Sequence, residues 1–347
     1  MRPAVRIDRI GPPNHASYRI RYALGSSERA APRQPARGVA IDVWTRDADL
    51  AIIRRVPPPP SFLEATRVEP VAGAERRYRA SLTHEWDAPV FPSGGVVTAL
   101  ALRAMEAELD QPHQRLRSFA TMFVSTVDAG EITIDVERLR IGKRMSQLRA
   151  DARDAGGTEP GHVTTAAFGE SREGFEFAYA GAPEAGPPDE YPGFATPPPG
   201  VPAWRSRFFE NLDVRRVRMY ASFETGWEGG RAETVRWMRY RVAPRLDDGR
   251  IDPLSLIALA DTMPPAVGQH HGPGFPFYHA PSVDLSMKFF ADTEEEWVLV
   301  RVISHWAGDG YASADVTLWD AKRRLLAHGT QLMLIRFPDP KDLGIVP

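Results

Sequence analysis

The chain has 347 residues, of which 43% are hydrophobic and 25% charged, a composition typical of a soluble globular protein with room for two domains. Its formal net charge of −2 argues against a general attraction to nucleic acid or to an anionic membrane. The absence of cysteine excludes disulfides, thiolate-bound zinc and a cysteine nucleophile, and it fits a reducing cytoplasm, where we place the protein.

Residues 1–60 are rich in Arg and Pro and end in four consecutive prolines at positions 57–60. Only Gly38–Trp44 and Leu50–Ile53 are strand-like, so we predict a weakly ordered extension that ends in a stiff polyproline connector. An Arg-rich arm for nucleic acid or membrane is the alternative, but the arginines are interleaved with prolines and acids rather than clustered. A start codon assigned too far upstream would give the same composition.

Residues 61–182 predict a first domain of one helix and several strands. A strand at Tyr78–Thr83 precedes Gly94 and Gly95, and the apolar stripe of Val96–Leu109 predicts a buried helix. The two glycines leave N–H groups free at the helix start, where they can bind an anion or polarise a carbonyl; a tight turn is the alternative. Turn signals then separate four alternating segments: Leu116–Val124, Glu131–Arg140, Met145–Asp154 and His162–Phe168.

Residues 183–204 form a Pro-rich linker, and residues 205–338 repeat the order of elements before a tail at 339–347. The predicted strands of this second domain are Arg207–Val217, Thr234–Arg241, Val283–Phe290, Trp297–Trp306, Ala312–Trp319 and Leu325–Ile335.

The sequence predicts a helix in the second domain, with Asp252 as its N-cap and Pro253 as its first residue. Asp261 falls on its buried face, seven residues after Leu254. A buried carboxylate must find hydrogen-bond partners or take up a proton. Asp261 therefore either starts the turn at Pro264 or acts as a base of raised proton affinity, and its local sequence leaves both interpretations open.

A shift of 166 positions aligns the two domains without gaps. It places Phe123 on Phe289, Val136 on Val302 and Gly142 on Gly308, and it places Gln331 on Thr165 and Ser282 on Leu116. We therefore predict a duplicated unit in an α+β fold, with two helix-wrapped antiparallel sheets joined edge to edge so that fewer strand edges stay exposed.

Four short motifs in this order resemble the double-hotdog acyl-CoA thioesterases of the type II (TesB-like) kind, over about residues 62–338: Pro92-Ser93-Gly94-Gly95, Ala260-Asp261, Ser282–Met287 and Gly329-Thr330-Gln331. The resemblance implies a double hotdog fold, an acyl-CoA substrate, coenzyme A only as part of that substrate, and a homo-oligomer. The helix start departs from the Phe-Gly-Gly-Gln often found in that family, since Ser93 precedes the glycines and Val96 follows them.

The resemblance also implies site residues. Asp261, Ser282 and Gln331 carry over as the group that activates a water for thioester hydrolysis, within the second domain. The helix start at Gly94 and Gly95 would contact the thioester carbonyl or the coenzyme in a neighbouring active site. Against this, Ser282 and Gln331 are also explained as strand residues that satisfy each other.

Other functions leave weaker traces in the sequence. There is no Gly-x-Ser-x-Gly, no nucleotide-binding glycine motif and no run of 18 apolar residues. His84-Glu85 lacks a second histidine at the metal-binding spacing, and His270-His271 lies in a Gly/Pro loop, so we expect no metal site. A hotdog dehydratase or hydratase, or a non-catalytic acyl-CoA binder, remains the alternative function.

Overall fold

The computed structural model describes residues 61–199, 201 and 206–338, together with the backbone of two strands near the N-terminus. These strands, β1 (Val5–Ile10) and β2 (Ser17–Tyr22), form an antiparallel pair that the sequence analysis did not predict. The strand-like segments at 38–44 and 50–53, the polyproline connector and the tail lie outside the described residues. The chain divides into two compact units, Met1–Val56 and Pro57–Pro347, and the fold below is that of the second unit.

The first repeat contains the predicted helix and meander. In chain order its elements are α1 (Phe62–Ala65), β3 (Glu69–Pro70), β4 (Arg77–Leu82), α2 (Gly94–Leu109), β5 (Arg115–Phe123), β6 (Gly130–Arg140), β7 (Met145–Asp154) and β8 (His162–Gly169). Helix α2 is buried along most of its length and packs against β6, β7 and β8. At 16 residues it is too short to cross a membrane, as are the other helices of the described part of the chain.

The second repeat follows the same order with a shorter, broken helix. Its elements are α3 (Arg207–Glu210), β9 (Leu212–Arg218), β10 (Glu233–Tyr240), α4 (Ser255–Ala260), α5 (Pro265–Gly268), β11 (Asp284–Phe289), β12 (Val298–Gly308), β13 (Tyr311–Asp320) and β14 (Leu325–Leu334). The strand predicted at 207–217 is wrong in its first half. There the amide of Phe208 donates to the carbonyl of Asp87, and α3 turns the Phe208 ring against Trp86.

Both repeats share one sheet of twelve strands, all pairs of which are antiparallel within the described residues. The strand order is β3-β4-β6-β7-β8-β5-β11-β14-β13-β12-β10-β9. The repeats join where β5 pairs with β11, with Phe119 opposite Met287. Helices α2 and α4 contact each other beneath this junction. The predicted edge-to-edge union of two helix-wrapped sheets is confirmed.

The strand pairing gives the register of the duplication. Leu116 lies opposite Phe168 in the first repeat, and Ser282 lies opposite Met333 in the second, so Ser282 does correspond to Leu116. Gln331, however, lies opposite Ala314, whose counterpart Leu148 pairs with Ala166. Gln331 therefore corresponds to Ala166 and not to Thr165. The ungapped shift slips by one because nine residues, 153–161, separate the paired Ala152 and His162, whereas eight, 319–326, separate the equivalent pair Leu318 and Ala327.

Helix α4 begins later than predicted. The Oδ1 atom of Asp252 accepts a 3.1 Å hydrogen bond from the amide of Leu254 and closes a turn, so that the helix proper starts at Ser255. The other oxygen of this buried carboxylate is bound by Arg103 of α2. Asp252 is therefore a contact between the two helices and not the N-cap of α4.

The Pro-rich linker lies on the outer face of the second repeat. Trp237 Nε1 donates a 3.0 Å hydrogen bond to the carbonyl of Gly186, and Arg323 Nη1 donates one of 2.8 Å to that of Pro183. Beneath it lies a second small apolar cluster, made by Val235, Trp237, Leu299 and Trp319. The linker thus covers an apolar sheet face that would otherwise be exposed to water.

Candidate active site

Asp261 ends helix α4 and reaches the start of helix α2. It is the C-cap residue of α4, and Pro264 and Pro265 follow within one turn, where proline cannot continue the helix. A Cβ added to Gly95 would lie 2.7 Å from Ala258 Cα and 2.9 Å from Asp261 Cβ. Only glycine permits this approach of the two helices, so Gly95 brings the carboxylate to the N-terminus of α2.

The carboxylate of Asp261 accepts hydrogen bonds on both oxygens. Oδ2 lies 2.7 Å from the Gly95 amide nitrogen and 3.4 Å from Ser93 Oγ. Oδ1 lies 2.7 Å from Gln331 Nε2 and 3.3 Å from Ser282 Oγ. The two nitrogen donors are at ordinary hydrogen-bond length, whereas the two hydroxyl contacts are long.

Ser282 and Gln331 come from neighbouring strands and also contact each other. Gln331 Nε2 donates to Ser282 Oγ at 2.7 Å. Ser282 lies just before β11, opposite Met333, and Gln331 projects from β14. A carboxylate, a hydroxyl and an amide separated by up to 70 residues therefore meet at one point.

Burial and hydrogen bonding have opposite effects on the pKa of Asp261. Burial raises the pKa of Asp261, while hydrogen bonds from Gly95, Gln331, Ser282 and Ser93 lower it. The N-terminal dipole of α2 also favours the negative charge. Burial is the larger effect, so the pKa lies above its ordinary value and Asp261 is a stronger base than an exposed aspartate.

Gln331 presents an acceptor without a partner. Its side chain is 2% exposed, and Oε1 has no hydrogen-bond partner among the described residues. Turning the amide over would aim this oxygen at the carboxylate of Asp261 in place of the nitrogen, which is repulsive when the carboxylate is ionised. The orientation of the amide is thereby determined, and Oε1 remains open to a donor such as a water molecule.

The first repeat supplies half of the surroundings. Ser93 and Gly95 contact Asp261, and a Cβ on Gly94 would lie 2.8 Å from Phe123 Cε1 and 3.2 Å from Asp261 Oδ2. The ring of Phe123 packs edge-on to buried His162, with centroids 4.7 Å apart. The sequence had led us to expect a site within residues 205–338 alone. The candidate site instead lies between the two repeats.

Arg236, which was not predicted from the sequence, contacts Thr262, the residue after Asp261. Its Nη2 donates to the carbonyl and hydroxyl oxygens of Thr262, and Nη1 donates to Thr234 Oγ1 at 3.1 Å. Burial lowers its pKa to about 10, so the guanidinium stays charged and binds the C-terminal end of α4. The period-two pattern of β10 contained the signal, because Arg236 shares a face with the buried Met238 and Tyr240.

The histidine motifs lie apart from this cluster. His84 Nδ1 is 2.9 Å from Asp87 Oδ2, and His270 Nδ1 is 2.7 Å from the carbonyl of Gly230. Among the residues that the structure describes, no three His, Asp or Glu side chains are grouped as metal ligands would be.

Two sequence models match most of this chain. That of the acyl-CoA thioesterase N-terminal domain matches residues 82–169, and that of the acyl-CoA thioesterase C-terminal domain matches residues 183–335. The chain belongs to the acyl-CoA thioesterase family. Membership in this family makes it an enzyme of the thioester hydrolase class. No curated protein matches it.

Solved structures show the hotdog fold of this acyl-CoA thioesterase family member. A conserved protein of unknown function with a hotdog fold from Alicyclobacillus acidocaldarius is 23% identical, with a TM-score of 0.66 over 80% of this chain and 98% of that one. Acyl-CoA thioesterase II TesB2 from Mycobacterium marinum is 24% identical, with a TM-score of 0.59 over 80% and 99%. The tesB protein of Mycobacterium avium subsp. paratuberculosis is 17% identical, with a TM-score of 0.59 over 79% and 98%.

Proposed function

We propose that this protein hydrolyses an acyl-CoA thioester to a free acid and coenzyme A, using a water activated by Asp261 and oriented by Ser282 and Gln331. The observation that carries the proposal is the convergence of these three side chains, with Gln331 Nε2 2.7 Å from both Asp261 Oδ1 and Ser282 Oγ. The resemblance that suggested the three residues is independent of these distances.

In the proposed reaction, the water gives its proton to Asp261 as its oxygen bonds to the thioester carbonyl carbon. The tetrahedral intermediate then collapses, the carbon–sulfur bond breaks, and the electron pair leaves with sulfur. The proton held by Asp261 passes to the departing thiolate, so that Asp261 is ionised again. Its raised proton affinity, caused by burial, suits both transfers.

Two neighbouring groups orient the water in this proposal. Oε1 of Gln331, a buried acceptor without a partner in the described part of the chain, takes one hydrogen of the water. Ser282 Oγ already receives a hydrogen bond from Gln331, so its own proton can be donated to the water oxygen or to Asp261. No covalent acyl-enzyme is required.

The oxyanion needs a donor other than Gly95, whose amide is bound to Asp261. Gly94 is the first residue of α2, where an amide has no acceptor within the helix. We assign its N–H to the thioester oxygen, in keeping with the electrostatic stabilisation that such donors provide. The expected contact of the helix start with the substrate thus remains a prediction for Gly94, while Gly95 acquires a different role.

Thiol release from a panel of acyl-CoA thioesters, followed with a coloured disulfide reagent, tests the proposal. We expect turnover by the wild type and at least tenfold lower kcat in Ser282→Ala and Gln331→Ala. Ser286→Ala is the matched control, because Ser286 lies four residues further along, in β11, and bonds to Thr330 instead of Asp261. Equal rates in all four proteins would refute the assigned site.

The same panel separates the alternative functions. A dehydratase or hydratase would change the ultraviolet absorbance of an enoyl thioester without releasing thiol, and a binder would do neither. Self-association and a cytoplasmic location, which the family resemblance and the cysteine-free composition suggest, complete the proposal. Size-exclusion chromatography with light scattering measures the oligomeric state.

A further inference from the structure

The duplication gives the candidate site a counterpart in the first repeat. Leu116 pairs with Phe168 in the first repeat as Ser282 pairs with Met333 in the second. Leu116 and Phe168 line an open cleft of about 490 Å³. Other residues that line it are Arg103, Glu106, Leu109, Arg117, Arg250 and Phe289. An open cleft therefore lies at the position in the first repeat that is equivalent to the candidate site.

This counterpart lacks the chemistry of the candidate site. Leu116 stands where the second repeat has Ser282, and Ala166 stands where it has Gln331. Neither side chain can hold or activate a water molecule. An open cleft lined by both apolar side chains and arginines is suited to an amphipathic ligand.

A β-bulge aims a cation into the cleft. The pairing of β5 with β8 shifts by one residue between Leu116 and Ser118, so Arg117 is the extra residue. The second repeat shows the same shift between Ser282 and Ser286. A bulge redirects the side chain it inserts, and Arg117 lines the cleft beside Leu116. The first repeat thus has leucine then arginine where the second has serine then valine.

Arg117 differs from the other cations of the cleft. Arg103 is paired with Asp252 and Glu106, and both Arg115 and Arg250 are paired with Asp292. Arg117 instead donates from Nε to the carbonyl of Gly169 at 3.0 Å and from Nη2 to Ser171 Oγ at 3.1 Å. These acceptors are neutral, and within the described residues Arg117 takes part in no ion pair, so its charge is available to an anion.

We propose that this cleft binds an amphipathic monocarboxylate of the fatty-acid type. The carboxylate lies on Arg117, and the hydrocarbon chain lies against the half-exposed ring of Phe290, beside Leu116 and Phe289. Among the described residues, Arg117 is the arginine of this cleft without an acidic partner, and its position beside apolar side chains matches an anionic head on an apolar tail. This binding needs no turnover, so it stands or falls separately from the proposed hydrolysis.

Isothermal titration calorimetry of the full chain with decanoate, below its micelle concentration, tests the head-group contact. We expect Arg117→Glu to weaken the cleft's affinity for decanoate at least tenfold and Arg117→Lys to change it less than threefold. Arg231→Glu, the same charge change at an exposed loop position, should leave it unchanged. Decanol, which has the tail but no charge, should bind Arg117→Glu and wild type within twofold.

A second pair of variants locates the binding. Leu116→Trp fills the proposed cleft and should abolish one decanoate-binding event, whereas Ser282→Trp fills the candidate active site and should leave that event intact. Thermal unfolding verifies that each variant is folded. Loss of all decanoate binding in Ser282→Trp, the same affinity in Arg117→Glu and Arg231→Glu, or no binding to the wild type would overturn the proposal.

Discussion

The amide nitrogen of Gly95 lies 2.7 Å from Oδ2 of Asp261, so the C-terminal end of α4 is bonded to the N-terminal end of α2. At the end of its own helix the carboxylate faces a negative dipole, and at the start of the other it faces a positive one. The pairing of the two helices therefore offsets part of the cost of burying this charge. It also fixes the direction in which the second oxygen points, toward Ser282 and Gln331.

Replacing Asp261 by asparagine should remove the base and keep the fold. An asparagine oxygen can still accept from Gly95, and its amide can donate to Gln331 after that side chain turns over. Loss of a general base typically lowers kcat by about 10²–10⁴-fold. Thiol release measures the effect, with exposed Asp248→Asn as control, and activity within tenfold of wild type would exclude the assigned role.

The same variant should change how stability depends on pH. Because burial raises the pKa of Asp261 in the folded state, the folded protein holds this proton over a range where the unfolded chain has released it. The stability that the protonated group contributes is present below the ordinary value of 3.8 and is lost as pH rises through the folded pKa. We therefore expect the free energy of unfolding of Asp261→Asn, measured with urea at several pH values, to rise relative to that of wild type as the pH increases above 4. A difference between the two proteins that stays constant with pH would contradict this.

Gly95→Ala should damage both stability and activity. The new Cβ would meet the backbone of α4, with Ala258 Cα at 2.7 Å and Ile257 O at 2.9 Å, and neither can move aside without displacing the helix. Overpacking of this kind costs about 1–3 kcal/mol and would shift Asp261 with α4. Gly174→Ala, which meets nothing within 4 Å, is the control for denaturant unfolding and thiol release.

Gln331→Glu should place a second carboxylate where Nε2 now lies, 2.7 Å from Asp261 Oδ1. Two carboxylates this close cannot both ionise, so the pair shares a proton and its upper apparent pKa rises. We expect low activity at neutral pH and a rise of kcat/KM displaced to higher pH. Gln147→Glu, at an exposed position of β7, is the control, and an unshifted pH profile would argue against contact of the two groups in solution.

His162 should make the protein sensitive to acid. Burial lowers its pKa from 6.5 to about 3, and no described residue forms a hydrogen bond with its Nδ1. Between pH 6.5 and about 3, His162 is protonated in the unfolded chain but neutral in the folded protein. The free energy of unfolding therefore falls as the pH falls, by about 5 kcal/mol at most. His162→Phe keeps the ring against Phe123 and should lose less stability between pH 6.5 and 4, unlike exposed His305→Phe. Equal losses in both variants would exclude this cause.

The order of elements and their periods were readable from the sequence because they are local properties. Alternating residues gave the strands of both meanders to within a few residues, and the apolar stripe of Val96–Leu109 gave helix α2. The start of α4 could not be read in this way. Asp252 has the residue type and spacing of an N-cap, but its carboxylate bonds to Arg103, 149 positions earlier in the chain.

The candidate site, too, could be predicted only in part from the sequence. Family resemblance named Asp261, Ser282 and Gln331, and the anomaly of a charged residue on an apolar face drew attention to the first. Residue types alone left open whether these groups meet, because their contacts depend on how β11 and β14 pair and where α4 ends.

The duplicated unit is readable from the sequence, since periodicity, turns and glycines act over a few residues. The folded chain was needed to show that Gly95 binds Asp261, that Gln331 corresponds to Ala166, and that Arg117 lines a second cleft. These features depend on strand register and on the approach of two helices, which are set by packing across the whole sheet, and a one-residue change in a distant hairpin moves every contact beyond it.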